Sequence, residues 1–415
     1  MSRAPASRPI QLLILAMVYS AAVYARTSVN PLHESLRSAL GLTDNQMSLL
    51  QGPALALPIV ALSVPLGLLI DRISRARLLV VLAALDALGA ALTAWSSTFA
   101  ALVAARGLVG LVSFGTNPVA LSVLADLYAP TERGRAMTVL SLAYTGGAAA
   151  AFALGGVLLQ AGGGPAAWRW TLGWLSVPLF LVTLLTLKMC EPMRSGTVVK
   201  HPTLRGSFQE IWDYRRVIAP LLALIALAEV ALGALLVWGA PAFERAFRVP
   251  VQRVDSLIAA ALVISGLCGP VFGGVLGDLC ERSGGRSRTL SSIGWLNVLS
   301  LPVGFYVAAP NFVTAAVFLV LFLTFMTAVV VMEVTLFTIA VPNELRGLCM
   351  ALVVACSVLV GTGIAPLIVS VVSGALGGAS MAGQALTGIC VMTSALSAGV
   401  AFGTRRTFAA VRVAA

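Results

Sequence analysis

Apolar runs of about 20 residues, the length a helix needs to cross the hydrocarbon of a bilayer, recur along this 415-residue chain with short polar breaks between them. With 59% hydrophobic residues, only 10% charged ones and a mean hydropathy of +0.97, the chain has too few polar groups to cover a water-soluble surface. The breaks place spanning helices near 10–29, 46–70, 77–97, 99–123, 136–160, 168–189, 217–240, 255–279, 289–309, 311–338, 346–373 and 384–404. The start, MSRAPASRPIQLLILAMVYSAA, has the basic flank and apolar run of a signal peptide, but the run continues to Val29 and more spans follow. It is therefore expected to remain as the first span.

The Lys and Arg residues orient these spans. With the N-terminus cytoplasmic, 20 of them fall on the inside and five on the outside (Arg37, Arg169, Arg245, Arg248 and Arg253). That is the positive-inside distribution, and both termini are expected in the cytoplasm of a bacterial inner membrane. The longest polar stretch divides the helices six and six. It gives an N-terminal bundle over 1–189, a cytoplasmic linker over 190–216 and a C-terminal bundle over 217–415. Two similar bundles with a substrate site between them near the midplane is the layout of a secondary transporter.

The same composition excludes other classes. A formal charge of +11 would suit nucleic acid, yet the basic residues are scattered between apolar runs and no soluble basic domain remains to bind it. Cys190, Cys268, Cys280, Cys349, Cys356 and Cys390 show no CxxC spacing, so neither a zinc site nor a disulfide framework is expected. His33 and His201 fall in expected loops, which argues against a histidine relay. There is no GxxxxGK[ST] sequence for nucleotide drive, no clustered catalytic chemistry for an enzyme, and no signalling domain for a receptor. No cofactor or metal is implied.

Gly67-Leu-Leu-Ile-Asp71-Arg72-Ile-Ser-Arg75 follows the second span, and Gly274-Val-Leu-Gly-Asp278-Leu-Cys-Glu-Arg282 follows the eighth. The two share a Gly, an Asp four residues on, then basic residues, at matching places in the two halves, as an internal repeat would. They resemble the signature loop of the major facilitator superfamily. Asp126 through Pro130 to Arg133 and Arg135, with Pro342-Asn-Glu-Leu-Arg346 as its counterpart after helix ten, resembles the loop after helix four in that family. Trp168-Arg169-Trp170, Glu191-Pro192-Met193-Arg194 and Gly361-Thr-Gly363-Ile-Ala-Pro366 add to a likeness that covers nearly the whole chain. It is most like the spinster-type branch, whose members carry lysolipids and sphingoid phosphates, with the anion:cation symporter branch second. The resemblance implies an all-α membrane protein with twelve transmembrane helices in two pseudo-symmetric six-helix bundles. It also implies a gate-latch role for Gly67, Asp71, Arg72, Arg75, Asp126, Arg133, Arg135, Asp278, Arg282 and Arg346. The alternative is that Asp71 and Asp278 merely hold the cytoplasmic ends together.

Ionisable groups inside spans are costly, which makes each a functional candidate. Arg26 matches the arginine of an Asp-Arg pair common to both branches, and Arg106 matches the family's RxxxG motif in helix four. A guanidinium facing a cavity offers a forked, permanently charged donor to a carboxylate or phosphate. Arg26 reads equally as an interface residue reaching water, and Arg106 as a donor to nearby backbone. Where the resemblance calls for acids, the chain has Ala25 and Ser113, which argues against proton coupling through the N-terminal half.

Asp86, Glu229 and Glu333 are the remaining intramembrane acids that would carry a proton or a sodium ion. Glu229, near mid-bilayer, is the favoured one, and Asp86 falls on a helix that is usually peripheral. Tyr19, Tyr24, Tyr144, Trp238 and Phe337 could line a cavity, with Trp238 also placed as an interface anchor. Gly146-Gly147 and Gly155-Gly156 form a small-residue face expected to pack against the other bundle. The substrate set is Arg26, Arg106, Tyr24, Tyr144 and Glu229, and the ligand a small organic anion or amphiphile. A monomer in the bilayer, without nucleic acid, is expected.

Overall fold

The computed structural model describes residues 8–129, 132–164, 166–192, 212, 214–341 and 343–410. His201, Met193, Arg194 and most of the expected linker lie outside the described residues, as do the side chains of Asp71 and Arg346 and any close neighbours of Gly67. The chain divides into two compact units: Met1–Thr197 with Val249–Val263, and Val198–Arg248 with Ile264–Ala415.

The first unit contains α1 (Arg8–Thr27), the short α2 (His33–Leu40) and α3 (Asp44–Gln51), then α4 (Pro53–Arg72), α5 (Arg75–Trp95), α6 (Phe99–Leu127), α7 (Arg133–Gly162) and α8 (Ala167–Thr186). Their starts follow local chemistry. The Thr43 side chain closes a capping box with Gln46, the Ser74 hydroxyl accepts from the Arg77 N–H, and Thr98 accepts from Ala101. The second expected span is divided: Gly52, with φ −114° and ψ −96°, ends α3, and Pro53 opens α4 at a position where its missing N–H costs nothing. His33 is not in a loop. It is the first residue of α2, buried, with its Nδ1 3.0 Å from the Gln51 amide nitrogen.

Two apolar clusters share the interior of this unit. One gathers Leu32, Leu36, Met47, Leu102 and Trp168, and the other Leu15, Leu79, Val119 and Leu140. On α5 the second cluster ends at Leu82 and the first begins at Ala87, so Asp86 falls where one gives way to the other. A Cβ on Gly89 would stand 2.8 Å from a Val109 methyl, so it is the glycine that lets α5 close on α6 here. On α7, Cβ atoms on Gly147 and Gly155 would run into the Ser20 carbonyl of α1 and the Pro31 ring, while one on Gly156 would stand 2.8 Å from Asp255, in the segment Val249–Val263 that the second half contributes to this unit.

The second unit contains α9 (Arg215–Phe247), most of α10 (Val251–Val303), α11 (Phe312–Ala340), α12 (Asn343–Cys356), α13 (Ala365–Leu376) and α14 (Ala382–Ala410). The expected loop around 280–288 is helical except at Gly285, whose φ of 61° and ψ of −159° break α10 in two. Between α12 and α13 the backbone takes a π-helical course over Ser357–Ile364, inside a single apolar stretch running Leu348–Leu376. Leu221, Leu224, Ile293, Val329, Met332 and Phe337 build the core. Phe337 and Trp238 are buried, not cavity-lining or interfacial, and the Trp238 indole donates to the Pro366 carbonyl at 3.0 Å.

Ten helical stretches among the described residues are long and apolar enough to cross a membrane. The break at Gly285 divides the 58-residue stretch Val251–Ala308 into two crossings, and the 20-residue α4 supplies another. Together these are the twelve spans read from the sequence. Trp95, Leu184, Trp295 and Val313 turn outward with more than half their surface exposed, as lipid-facing side chains do.

Candidate functional site

Three charged side chains meet in the first unit. Arg106, on α6, is 1% exposed and donates both terminal nitrogens to α1 carbonyls: Nη1 to Ala25 at 3.3 Å and Nη2, closely, to Arg26. Its guanidinium is committed to the end of α1, and its Nε has no partner among the described residues. Arg26, in the last turn of α1, is half-buried. Its guanidinium carbon lies 4.6 Å from the Phe114 ring centroid and 5.1 Å from that of Tyr144, in cation–π contact with both. Among the described residues its side chain makes no hydrogen bond and no ion pair within 4 Å.

Asp86 completes the group. It is buried, accepts a 2.9 Å hydrogen bond from the Ser113 hydroxyl of α6, and lies in electrostatic reach of both Arg26 and Arg106. The expectation that helix three is peripheral does not hold for this residue. The serine that stands where the resemblance calls for an acid holds the acid of the neighbouring helix. Tyr144 is 43% exposed and 6.2 Å from Tyr19 between ring centroids, while Tyr24 is buried with its hydroxyl unpartnered. Phe114 and Ser113 do not stand out as ligands in the sequence, although both lie about two helical turns beyond Arg106 on α6.

Glu229 belongs to the second unit, on α9, where a Cβ on Gly361 would stand 2.8 Å from its Oε2. The π-helical course of the backbone at Gly361 therefore coincides with the place where a carboxylate crosses it; such bulges recur at functional sites. Glu333 on α11 is fully buried, both of its carboxylate oxygens lack a hydrogen-bond partner among the described residues, and it interacts electrostatically with Glu229. Among the described residues no group of three metal-ligating side chains is found. A cavity of about 430 Å³ in the same unit, beside Arg245, Phe305, Gln384 and Thr387, contains none of these acids.

At the other end of the first unit a polar cluster ties three helix ends together. Arg75 forms ion pairs with Asp126, just before the end of α6, and with Glu191, at 3.0 Å, beyond α8; it also donates to the Ser122 hydroxyl at 2.9 Å. Glu191 accepts from the Ser74 hydroxyl at 2.7 Å and the Ala76 N–H at 2.8 Å. Partial burial alone would raise the Glu191 carboxyl, but the Ala76, Ser74 and Arg75 hydrogen bonds outweigh it and hold the group below the ordinary range. Of the motif residues, Arg75 and Asp126 are thus brought together, and Glu191 is the partner that the motifs alone did not assign.

Arg133 lies in the first turn of α7 and caps α6 instead, donating to the carbonyls of Tyr128 and Ala125. Arg72 and Arg135 are exposed. In the second unit Asp278 and Arg282 are exposed and make no hydrogen bond or ion pair among the described residues; the side chains of the counterpart loop at 342–347 lie outside them.

These helices define a multi-pass α-helical membrane protein. The sequence model of the Major Facilitator Superfamily matches residues 15–366, and the chain belongs to that family. In fold it is similar to a bacterial homologue of the human lysosomal transporter Spinster, in its inward-facing, unoccupied form, with a TM-score of 0.83 and 20% identity over 97% of this chain and 98% of that one. Shorter likenesses join it to the efflux pump radE of Floropilus chiversii, 33% identical over 112 residues, and to a triacylglyceride transporter of Mycolicibacterium hassiacum, 34% identical over 136. They span 27% and 32% of this chain, and only 20% and 24% of those relatives' lengths.

Proposed function

We propose that the protein is a secondary transporter, working by alternating access, for an organic anion whose negative group docks on Arg26. The observation that carries this is a half-buried guanidinium held over Phe114 and Tyr144 with no ion pair of its own among the described residues. A cation set over aromatic faces is oriented and partly dehydrated, ready for a carboxylate or phosphate. Arg106 acts differently, as a positioning residue that fixes the end of α1 and with it Arg26. An amphiphile is the favoured ligand, since aromatic rings flank the charge and one relative is named for a triacylglyceride; sugar acids and aromatic acids are the alternative.

On the same reading, both termini face the cytoplasm of a bacterial inner membrane, residues 190–216 link the halves, and the Arg75, Asp126 and Glu191 cluster serves as a latch. Glu229 and Glu333 carry a proton or sodium ion, and the protein works as a monomer. The test is a thermal-shift measurement on purified protein with lysophosphatidylglycerol and with gluconate. One of them is expected to stabilise the wild type and not Arg26→Ala; stabilisation equal in both proteins would overturn the anion site.

A further inference from the structure

Within the apolar runs of residues 1–189 the charged side chains are Arg26, Asp86 and Arg106; Arg75, Arg77, Arg169 and Lys188 stand at their edges, and Asp255, the buried acid that Val249–Val263 adds to the unit, lies beside Gly156 of α7. Two guanidiniums and one carboxyl therefore share a buried region, and its net charge is set by Asp86. With Asp86 ionised the excess is one positive charge, and with Asp86 protonated it is two. An anion arriving at Arg26 takes over part of the field that stabilises the Asp86 carboxylate.

The surroundings of Asp86 support this exchange. Ser113 holds Oδ1 through its hydroxyl, a bond that either protonation state of the acid accepts. From α1 the facing groups are Arg26 and, next to it, the Tyr19 phenol; from α6 the facing group is Arg106. α8, also packed against α5, contributes Arg169, whose guanidinium is bound at the far end of α5 to the carbonyls of Ala94 and Ser96. Arg106 is held on α1 carbonyls, so Arg26 is the charge left to be shared between an incoming anion and Asp86.

We infer that Asp86, positioned by Ser113, takes up a proton as an anion binds Arg26, so that ligand and proton enter the first unit together. The step is electrically balanced: one negative charge arrives on the ligand, one proton arrives on the Asp86 carboxylate, and the buried region gains no net charge. This rests on Arg26 being the anion site, and it gives the coupling proton of the first half to Asp86 in place of the acids missing at Ala25 and Ser113.

The test uses the full chain in detergent with lysophosphatidylglycerol, a phosphodiester that keeps a single charge across the working range, so any pH slope in binding belongs to the protein. Affinity is expected to rise by up to about tenfold per unit of falling pH in the wild type, the limit for one co-bound proton. Asp86→Asn, which keeps an acceptor for Ser113, is expected to bind with a flat pH profile. Without any ligand, infrared spectra should show a carboxylic-acid band that changes between about pH 4 and 9 and is missing in Asp86→Asn. Absence of such a band, or equal pH slopes in the two proteins, overturns the inference. Binding that is indifferent to Arg26→Ala instead overturns the anion site, while the band still decides Asp86.

Discussion

The Ser113 hydroxyl donates to the Asp86 carboxylate at 2.9 Å across the contact of α5 with α6, and both residues are buried. Asp86 depends on that donor because Arg26 and Arg106 act on it through space. Ser113→Ala leaves a buried carboxylate without its donor. A hydrogen bond to a charged group contributes about 1.5–3 kcal/mol, so the melting temperature is expected to fall by several degrees. The exchange Asp86→Ser with Ser113→Asp restores a donor and an acceptor across the same contact. It is expected to recover most of that loss, which differential scanning fluorimetry would read directly.

Arg106 joins α6 to the last turn of α1 by hydrogen bonds to two carbonyls there, that of Arg26 and that of Ala25, which the Ser28 hydroxyl also reaches at 2.8 Å. Arg106→Lys keeps the charge but supplies a single point donor where a fork is used. Both Arg106→Lys and Arg106→Ala are expected to destabilise the protein, by about 1–3 kcal/mol for the buried Arg26 carbonyl left unmet. Amide exchange in Tyr24 to Ser28 should quicken in both variants. Rescue by lysine alone would show that charge, not geometry, is what this position supplies.

Glu191 gives a pH dependence whose sign is fixed. Its hydrogen bonds from Ala76, Ser74 and Arg75 hold its carboxyl below the ordinary value of 4.5, so the stabilisation is complete above that value and is lost as pH falls through the lowered one. Glu191→Gln removes the charge that Arg75 pairs with and so removes this acid-side loss. The melting temperature, followed from neutral to acid pH by differential scanning fluorimetry, should fall in the wild type below about pH 4. In the variant it should be lower already at neutral pH and change little through this range.

Much of this fold was legible in the sequence because lipid imposes a simple rule: an apolar run of sufficient length becomes a helix. Boundaries slipped where glycine or proline acted inside a run, as at Gly52-Pro53, or where a polar stretch stayed helical, as around Gly285. The charged residues were equally visible, but their roles were not. Whether Arg106 faces a ligand or a carbonyl depends on where α1 ends, and whether Asp86 is peripheral depends on the approach that Gly89 permits. Trp238 misled for the same reason: position along a helix says little about which face it occupies, and this indole faces Pro366. Ser113 was legible as a departure from the expected acid, and only its partner on α5 turned that departure into a relocation of the carboxyl.

Glu333 is a costly group in the second unit, because its side chain is fully buried and neither carboxylate oxygen has a hydrogen-bond partner among the described residues. Among the described residues the electrostatic partner of Glu333 is Glu229, another acid, and no lysine or arginine lies in an apolar run of the second half away from its edges, so a proton or a cation is expected to neutralise Glu333. Glu333→Gln keeps the shape and removes the charge. Replacing an uncompensated buried charge by a neutral isostere is expected to stabilise by on the order of 1 kcal/mol or more. The gain in melting temperature should be largest in alkaline, sodium-free buffer, where nothing neutralises the wild-type carboxylate. It should shrink as protons or sodium are supplied, and comparing sodium with choline at constant ionic strength tells which of the two is taken. A variant less stable than the wild type under all these conditions would mean that the carboxylate is paired, and Glu333 would then be a structural residue with no ion to carry.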